Sequence, residues 1–350
     1  MSGFTDDSHE IPLIDISSLS PQVGAALVDA AGKYGFVFIK AQGSSISAEE
    51  TEKVFGLSRQ FFASPRAEKE ECTIGEENKG WSSMHSETLD PENQRVGDFK
   101  EAFNVGEFRQ GKAQQPLPKS LVPHEADLSH FLDLCHELCL KILRLFALGL
   151  KIDPRHGGKE WFSSKLDPSL GPSASILRLL YYPALNANTA CNPEVDIRAG
   201  AHSDYGSITL LFQRRSQPGL EILSPSSSWL PVPVTPPGSE NDPMPPILVN
   251  IGDLLAHWTN GLLKSTVHRV VFPADSKGRG DDRYSIAYFC HPGDKTRLEP
   301  VPSDMVKAVS SESNGSGRAK GIITAGDYLR SRLAATYGWG SKSEEEVSPA

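Results

Sequence analysis

Apolar positions recur at helical spacing in the first half of the chain and in short, turn-bounded runs in the second. Ile11-Pro12-Leu13-Ile14-Asp15-Ile16 reads as an opening strand. Gln22 to Tyr34 is amphipathic and rich in small residues, which predicts a helix. Gly35 stops it, and Phe36-Val37-Phe38-Ile39 follows as a short apolar strand. Ser47 to Phe62 predicts a second helix, ending before Ser64-Pro65. Cys72 to Gln115 is polar and glycine-bearing and reads as a long ordered loop with short elements. Pro123 to Lys151 carries the strongest helical pattern. Phe131, Leu134, Leu138, Ile142 and Leu145 form one apolar stripe, a structural spine with His130 and His136 on its polar side.

After residue 165 the runs shorten. Ile176 to Tyr182, Ser207 to Phe212, Leu220 to Leu223, Trp229 to Val234, Ile247 to Ile251, His268 to Phe272 and Tyr284 to Cys290 read as strands. Pro218-Gly219, Pro236-Pro237-Gly238 and Pro243 to Pro246 punctuate them, which argues for a sandwich or barrel rather than a parallel sheet. Ser310 to Gly317 reads as a flexible loop. Thr324 with Asp327 resembles a capping box and predicts a helix from Thr324 to Tyr337. The last ten residues read as a disordered polar tail. No internal repeat, phosphate loop or dinucleotide fingerprint occurs. The chain therefore reads as one unit with four stretches: an N-terminal region (1–120), a spine helix and connection (121–165), a β core (166–300) and a C-terminal helix and tail (301–350).

Composition narrows the possible functions. A hydrophobic share of 38% and a charged share of 23% over 350 residues describe a globular chain. The net charge of −9 gives no electrostatic footprint for nucleic acid or anionic membrane. No eighteen-residue apolar run exists to span a bilayer. Met1 to Glu10 is polar and acidic, unlike a signal or transit peptide, and Ser348-Pro349-Ala350 is no retention or peroxisomal signal. The cysteines, at 72, 135, 139, 191 and 290, lack metal-finger spacing. Cys135 and Cys139 sit in an apolar helical run as buried thiols, and the odd count suggests a reducing, cytosolic setting.

His202-Ser203-Asp204 precedes an apolar strand. Alone it is weak: ten histidines and 44 acids in 350 positions give roughly 1.3 such pairs by chance. His85-Ser86-Glu87, in the polar loop, reads as such a coincidence. Residues two apart in extended chain point to one side, so His202 and Asp204 can face one ion. His268, opening a later strand, supplies a third ligand. Two imidazoles and one carboxylate with open positions are typical of non-haem Fe(II) oxygenases rather than zinc hydrolases. Arg283 and Ser285 share a strand face and make a carboxylate socket, since a guanidinium within the run Tyr284-Ser285-Ile286-Ala287-Tyr288-Phe289 is costly to bury unpaired.

These residues sit in "AHSDYGSITLLFQ" (201–213), "VNIGDLLAHWTNGLLKSTVHRVV" (249–271) and "RYSIAYF" (283–289), with "IPLIDIS" (11–17), "GFVFIK" (35–40) and "DFKEAFNVG" (98–106) in front. On them the chain, from about residue 10 to 338, resembles the Fe(II)/2-oxoglutarate-dependent dioxygenases of the isopenicillin N synthase branch. "ILRLLYYPA" (176–184) and "RLAATY" (332–337) give it a likeness to fungal thymine hydroxylases and oxygenases of secondary metabolism. The resemblance implies a mainly β fold with helices: a distorted double-stranded β-helix, or jelly roll, with a helical N-terminal part and a supporting long helix. It implies that His202, Asp204 and His268 bind Fe(II), and that Arg283, Ser285 and Tyr182 hold the distal carboxylate of 2-oxoglutarate. It also implies that Arg178, Tyr205 and Phe289 line the substrate pocket. Where the family often has Arg-Gly-Tyr before the long helix, this chain has Lys79-Gly80-Trp81, so specificity does not transfer.

The expected reaction follows from electron counting. Reducing O2 takes four electrons; one C–H hydroxylation supplies two, and decarboxylation of 2-oxoglutarate to succinate and CO2 supplies two. The iron carries this chemistry, so no side-chain general base is expected, and ascorbate is expected only as an aid. The expected substrate is a small planar molecule, a pyrimidine or aromatic polyketide. Phe289 and Tyr205 would sandwich its ring, with Arg178 as donor. The bland alternative makes Arg178 the partner of a core acid and the aromatics packing. Two other functions compete: an oxidase in which Arg283 and Ser285 bind the substrate's own carboxylate, and a non-catalytic jelly-roll binding module. The oligomeric state is left open.

Overall fold

The computed structural model describes residues 10–40, 43–184, 195–272, 281–312 and 323–337. Its helices are α1 (Pro21–Lys33), α2 (Ala48–Phe62), α3 (Arg66–Glu70), α4 (Glu125–Gly149), α5 (Asp253–Trp258), α6 (Asp304–Glu312) and α7 (Ala325–Tyr337). The strands are β1 (Leu13–Ile14), β2 (Phe36–Ile39), β3 (Gly80–Ser82), β4 (Glu101–Val105), β5 (Phe108–Arg109), β6 (Lys112–Ala113), β7 (Ile176–Tyr182), β8 (Ala199–His202), β9 (Ile208–Gln213), β10 (Leu220–Leu223), β11 (Trp229–Pro231), β12 (Ile247–Ile251), β13 (His268–Val270) and β14 (Arg283–Cys290). Eight strands form a major sheet in the order β1-β2-β12-β9-β14-β7-β4-β3, and four form a minor sheet, β11-β10-β13-β8. All pairs but β1 with β2 are antiparallel. The fold is the expected jelly roll.

Local chemistry explains the helix ends. Ser47 and Glu50 close a reciprocal capping box at α2, with Oγ accepting from the Glu50 amide at 3.1 Å and the carboxylate accepting from the Ser47 amide at 2.7 Å. Thr324 and Asp327 do the same at α7, as the sequence predicts. In α4, Phe131, Leu138, Ile142 and Leu145 are buried and Leu134 is partly so. α4 starts at Glu125 rather than Pro123, because Val122–His124 forms a separate 3-10 turn around the proline. His130 lies outside the stripe, bonded to Glu50 at 3.1 Å, and His136 is half-buried. α1 packs on α4 through two glycines: a Cβ on Gly24 would stand 2.4 Å from the Leu145 carbonyl, and one on Gly149 2.2 Å from the Gly24 carbonyl. Only backbone fits there.

The polar stretch from Cys72 to Gln115 does hold short elements, as expected, but two of them join the major sheet. It supplies β3 and β4 to the major sheet and the β5–β6 hairpin. β4 escaped notice because charges surround it: Asp98, Lys100 and Glu101 are held by ion pairs rather than by solvent. Further elements were not anticipated, among them the five-residue α3. β8 reads Ala-Gly-Ala-His and lacks β-branched residues, while α5 and α6 are only 6 and 9 residues long. α6 runs through Glu312 and so overlaps the stretch read as a loop at 310–317; its remainder, Cys191 and the last ten residues lie outside the described residues.

Strand alternation makes two cores. One face of the major sheet (Val37, Ile39, Leu177, Leu179, Leu210, Ile286) packs against α1, α2 and α4. The other face (Phe38, Leu180, Tyr182, Leu248, Ala287) meets Ile222, Val270 and Ala199 of the minor sheet. The same period of two puts Arg178, Leu180 and Tyr182 of β7, and Arg283, Ser285, Ala287 and Phe289 of β14, on the inner face.

Candidate active site

His202 and His268 are direct partners across the β8–β13 ladder, with ring centroids 4.4 Å apart. Asp204 stands two residues past His202, where its backbone carbonyl accepts from the Asp253 amide that opens α5. Its Oδ1 lies 3.9 Å from His202 Nε2 and 3.8 Å from His268 Nε2. Two donors each bonded at about 2.1 Å to one ion can stand up to ~4.2 Å apart, so the carboxylate can share an ion with either imidazole. Among the described residues this is the one cluster of three metal-ligating side chains.

Each ligand is oriented from behind. Nδ1 of His202 faces the Gly200 carbonyl at 2.7 Å, and Nδ1 of His268 faces the Thr266 carbonyl at 3.1 Å. Those bonds assign the ring proton to Nδ1 and leave Nε2 bare for a metal. Asp204 Oδ2 accepts from Thr209 Oγ1 at 2.6 Å and Asn250 Nδ2 at 2.7 Å, leaving Oδ1 toward the histidines. Burial and the neighbouring His268 push His202 down to about 4. Asp204 is held below the ordinary carboxylate range by the two histidines and its two donors, against the opposing effect of burial. Neutral imidazoles with an ionised carboxylate are the protonation states a metal requires.

Across the same cavity, Arg283 is 1% exposed. Its guanidinium donates to Ser285 Oγ at 3.2 Å, Gln213 Oε1 at 3.3 Å and the Gln217 carbonyl at 3.2 Å. The Tyr182 ring centroid is 5.0 Å away. No carboxylate pairs with it among the described residues. A second wholly buried guanidinium, Arg198, lies nearby; it donates to the Asp281 carbonyl at 2.5 Å and stacks on Phe272 at 4.8 Å. Burial and Arg283 together lower Arg198 to about 10. Two adjoining cations that repel one another favour an anionic ligand.

The expected substrate residues divide. Arg178 lines the cavity, but one guanidinium nitrogen donates to both oxygens of Glu87, at 2.5 and 2.7 Å. The alternative of a core-acid partner therefore describes its bonding. Glu87 also bonds Ser82 Oγ at 2.9 Å and Lys100 Nζ at 3.1 Å, and Lys100 bonds Asp98. Sequence reading passed over Glu87, Lys100 and Asp98, and it set Glu87 aside with His85 as chance. His85 bonds the Gly97 carbonyl at 2.7 Å instead. Charged residues flanking the apolar run Phe99 to Val105 were the available signal. Tyr205 and Phe289 line an adjoining cavity with His291, Leu329 and Leu333, the leucines coming from α7. Trp81, at the departure Lys79-Gly80-Trp81, is buried and donates to Glu101 at 2.8 Å.

Known proteins match along this whole frame. The family model for the non-haem dioxygenase N-terminal region, described from morphine synthesis, matches residues 11–125, and that of the 2OG-Fe(II) oxygenase superfamily matches residues 173–292. The 2-oxoglutarate-Fe(II) type oxidoreductase ppzD of Metarhizium rileyi is 31% identical, covering 92% of this chain and 86% of its own. UPF0676 protein C1494.01 of Schizosaccharomyces pombe is 34% identical over 95% of this chain and 94% of its own. The crystal structure of a full-length Neurospora crassa protein in complex with alpha-KG and thymine superposes with a TM-score of 0.75 at 34% identity, covering 95% of this chain and 99% of that one. With that identity spread over nearly the whole of both chains, this chain belongs to the Fe(II)/2-oxoglutarate-dependent dioxygenases.

Proposed function

We propose that the protein hydroxylates a small planar metabolite, a pyrimidine, in a reaction that turns 2-oxoglutarate into succinate and CO2. His202, Asp204 and His268 hold the ferrous ion, which with O2 and 2-oxoglutarate supplies the oxidising power when bound. Arg283 and Ser285 clasp the distal carboxylate of 2-oxoglutarate, and Tyr182 adds a hydrogen bond. The observation that carries this reading is Arg283: a buried guanidinium that no carboxylate pairs with among the described residues, on the same cavity as the triad. Leaving such a charge unpaired costs several kcal/mol, roughly, unless a ligand supplies the anion.

Tyr205 and Phe289 offer aromatic faces to a flat ring, and Arg178, braced by Glu87, stands at its edge. The Neurospora crassa protein's complexes with thymine and with 5-formyluracil, each 34% identical to this chain, support a pyrimidine. The net charge of −9 supports a free small molecule over nucleic acid. No described helix is long and apolar enough to cross a membrane. Cys72, Cys135, Cys139 and Cys290 are buried free thiols, which supports a reducing, cytosolic setting.

The test is succinate release with Fe(II), ascorbate, O2 and 2-oxoglutarate, with thymine, uracil and aromatic polyketides as candidate substrates. Stimulation by a pyrimidine is expected. Substrate consumption without any oxoacid would establish the oxidase alternative, and stimulation by polyketides alone would replace the pyrimidine.

A further inference from the structure

We propose that His291 is a specificity-determining residue, whose imidazole hydrogen-bonds the N–H or C=O edge of the substrate ring. This rests on the pyrimidine reading above and adds to it the group that selects among flat rings.

His291 follows β14 directly and continues its inward series 283, 285, 287, 289 by one more step of two. Its backbone is clamped twice to Ser175, whose Oγ accepts from the His291 amide at 3.0 Å and donates to the His291 carbonyl at 3.2 Å. The ring lies against Gly206: a Cβ there would stand 2.9 Å from Nε2. A side chain at 206 would push the imidazole out of place, so the loop that carries Tyr205 is shaped around it.

The ring is 7% exposed, and neither nitrogen has a hydrogen-bond partner among the described residues. His291 lines the cavity together with Tyr205, Phe289, Leu329 and Leu333. Burial pushes the imidazole down to about 4, so at neutral pH it offers one donor and one bare acceptor. A largely buried imidazole without a protein partner gains most from a ligand that supplies one. It is not in the metal cluster. Tyr205, Phe289, Leu329 and Leu333 give the cavity apolar and aromatic walls, and Arg178, His202 and Asp204 line it as well. A flat ring held between those walls has its edge free, and a lactam-like –NH–C(=O)– edge matches an imidazole that can both donate and accept.

The experiment compares wild type, His291→Leu and His291→Gln, each loaded with Fe(II) and 2-oxoglutarate. Thymine binding is read anaerobically from the iron–2-oxoglutarate charge-transfer absorption, and KM and kcat from succinate release. Losing one hydrogen bond should raise the thymine Kd and KM about 10- to 100-fold in His291→Leu. His291→Gln should recover part of that. The KM for 2-oxoglutarate and its turnover without substrate should stay within about twofold. An N-methylated thymine should bind wild type more weakly, yet lose nothing further in His291→Leu. If wild type responds to thymine and His291→Leu responds equally, this inference falls and the pyrimidine reading stands. If 2-oxoglutarate binding falls in parallel with thymine binding, His291 supports the metal end instead and the inference falls. If wild type ignores thymine, uracil and 5-formyluracil, the pyrimidine reading falls and takes the inference with it.

Discussion

Two buried arginines on neighbouring strands face one cavity and are treated in opposite ways. Among the described residues Arg283 of β14 has neutral partners alone, a hydroxyl, an amide oxygen and a carbonyl. Arg178 of β7 is gripped by Glu87, which is itself joined to Lys100 and Asp98 in a network of two cations and two anions. On the function proposed above, the first charge awaits an outside anion. The second is neutralised from within, so its contribution to a ligand is directional rather than ionic. Arg283 is fully buried and Arg178 slightly less so, with 13% of its side chain exposed, but the larger difference is the counter-ion.

The metal end should give the largest effect. His268→Ala removes one of three ligands and should lower iron affinity and turnover by more than about 100-fold, beyond what loss of an outer-shell partner costs. Iron content after desalting and succinate release both check it. Near-normal turnover would mean that the third ligand is another residue.

Arg283→Leu comes next. Each charge-assisted hydrogen bond to the cosubstrate contributes about 1.5–3 kcal/mol, so the KM for 2-oxoglutarate should rise about 100-fold or more. The metal-free protein should be no less stable than wild type, because an unpaired buried cation has been replaced by an apolar group. Arg178→Leu should do the reverse. It strands Glu87, whose carboxyl the Arg178 and Lys100 charges hold well below the usual range, against the opposing effect of burial. A loss of ~3 kcal/mol is expected, since breaking a buried pair leaves an uncompensated charge. The 2-oxoglutarate KM should barely move. Chemical denaturation of the two variants side by side gives the contrast: equal destabilisation would erase the distinction drawn here.

The same contrast explains what could be read from the chain. Period two puts His202 with Asp204 on one side of an extended segment and Arg283 with Ser285 on one face of β14, which is as far as spacing reaches. The triad depends on just one long-range fact, that β8 pairs with β13, and His202 and His268 are that pair. The Glu87–Lys100–Asp98 network has no period. It is built from a stretch whose polarity resembles that of a solvent loop: Lys100 pairs with Asp98 two residues away and with Glu87 thirteen away, and Arg178 reaches Glu87 from a distant strand. Pattern reading scores such residues as exposed, and it missed β4 for the same reason. The roof over Tyr205 and Phe289 was out of reach in another way: α7 was predicted, but where a helix docks is a tertiary fact.

A smaller effect distinguishes the two ends by pH. His202 and His291 are both lowered to about 4 in the folded protein, from 6.5. Between those values the unfolded chain binds more protons, so their contribution to stability is complete above pH 6.5 and is lost as pH falls toward 4. The slope is at most ~1.4 kcal/mol per pH unit for each group. Metal-free His291→Leu should therefore lose stability on acidification about half as steeply as wild type, to the extent that these two histidines dominate. An unchanged slope would mean that His291 is not held neutral by the fold.

The smallest predicted change concerns the roof. Arg332 of α7 pairs with Asp253 at 2.7 Å, and its guanidinium lies 5.2 Å from the Tyr205 ring centroid. Asp253 accepts from Ser203 Oγ at 3.1 Å, and its backbone amide bonds the Asp204 carbonyl at 2.7 Å, so the helix end is tied to the loop that carries a metal ligand. The pair is partly solvated, with Arg332 42% exposed, and exposed pairs contribute about 0.2–1 kcal/mol. Arg332→Ala should thus leave stability nearly unchanged. It should instead loosen Leu329 and Leu333 over the substrate, raising the KM for a pyrimidine a few-fold, with iron and 2-oxoglutarate affinities unaltered. A shift in 2-oxoglutarate KM would show the tie acting on the metal end, and the two ends would then not be separable by mutation at this helix.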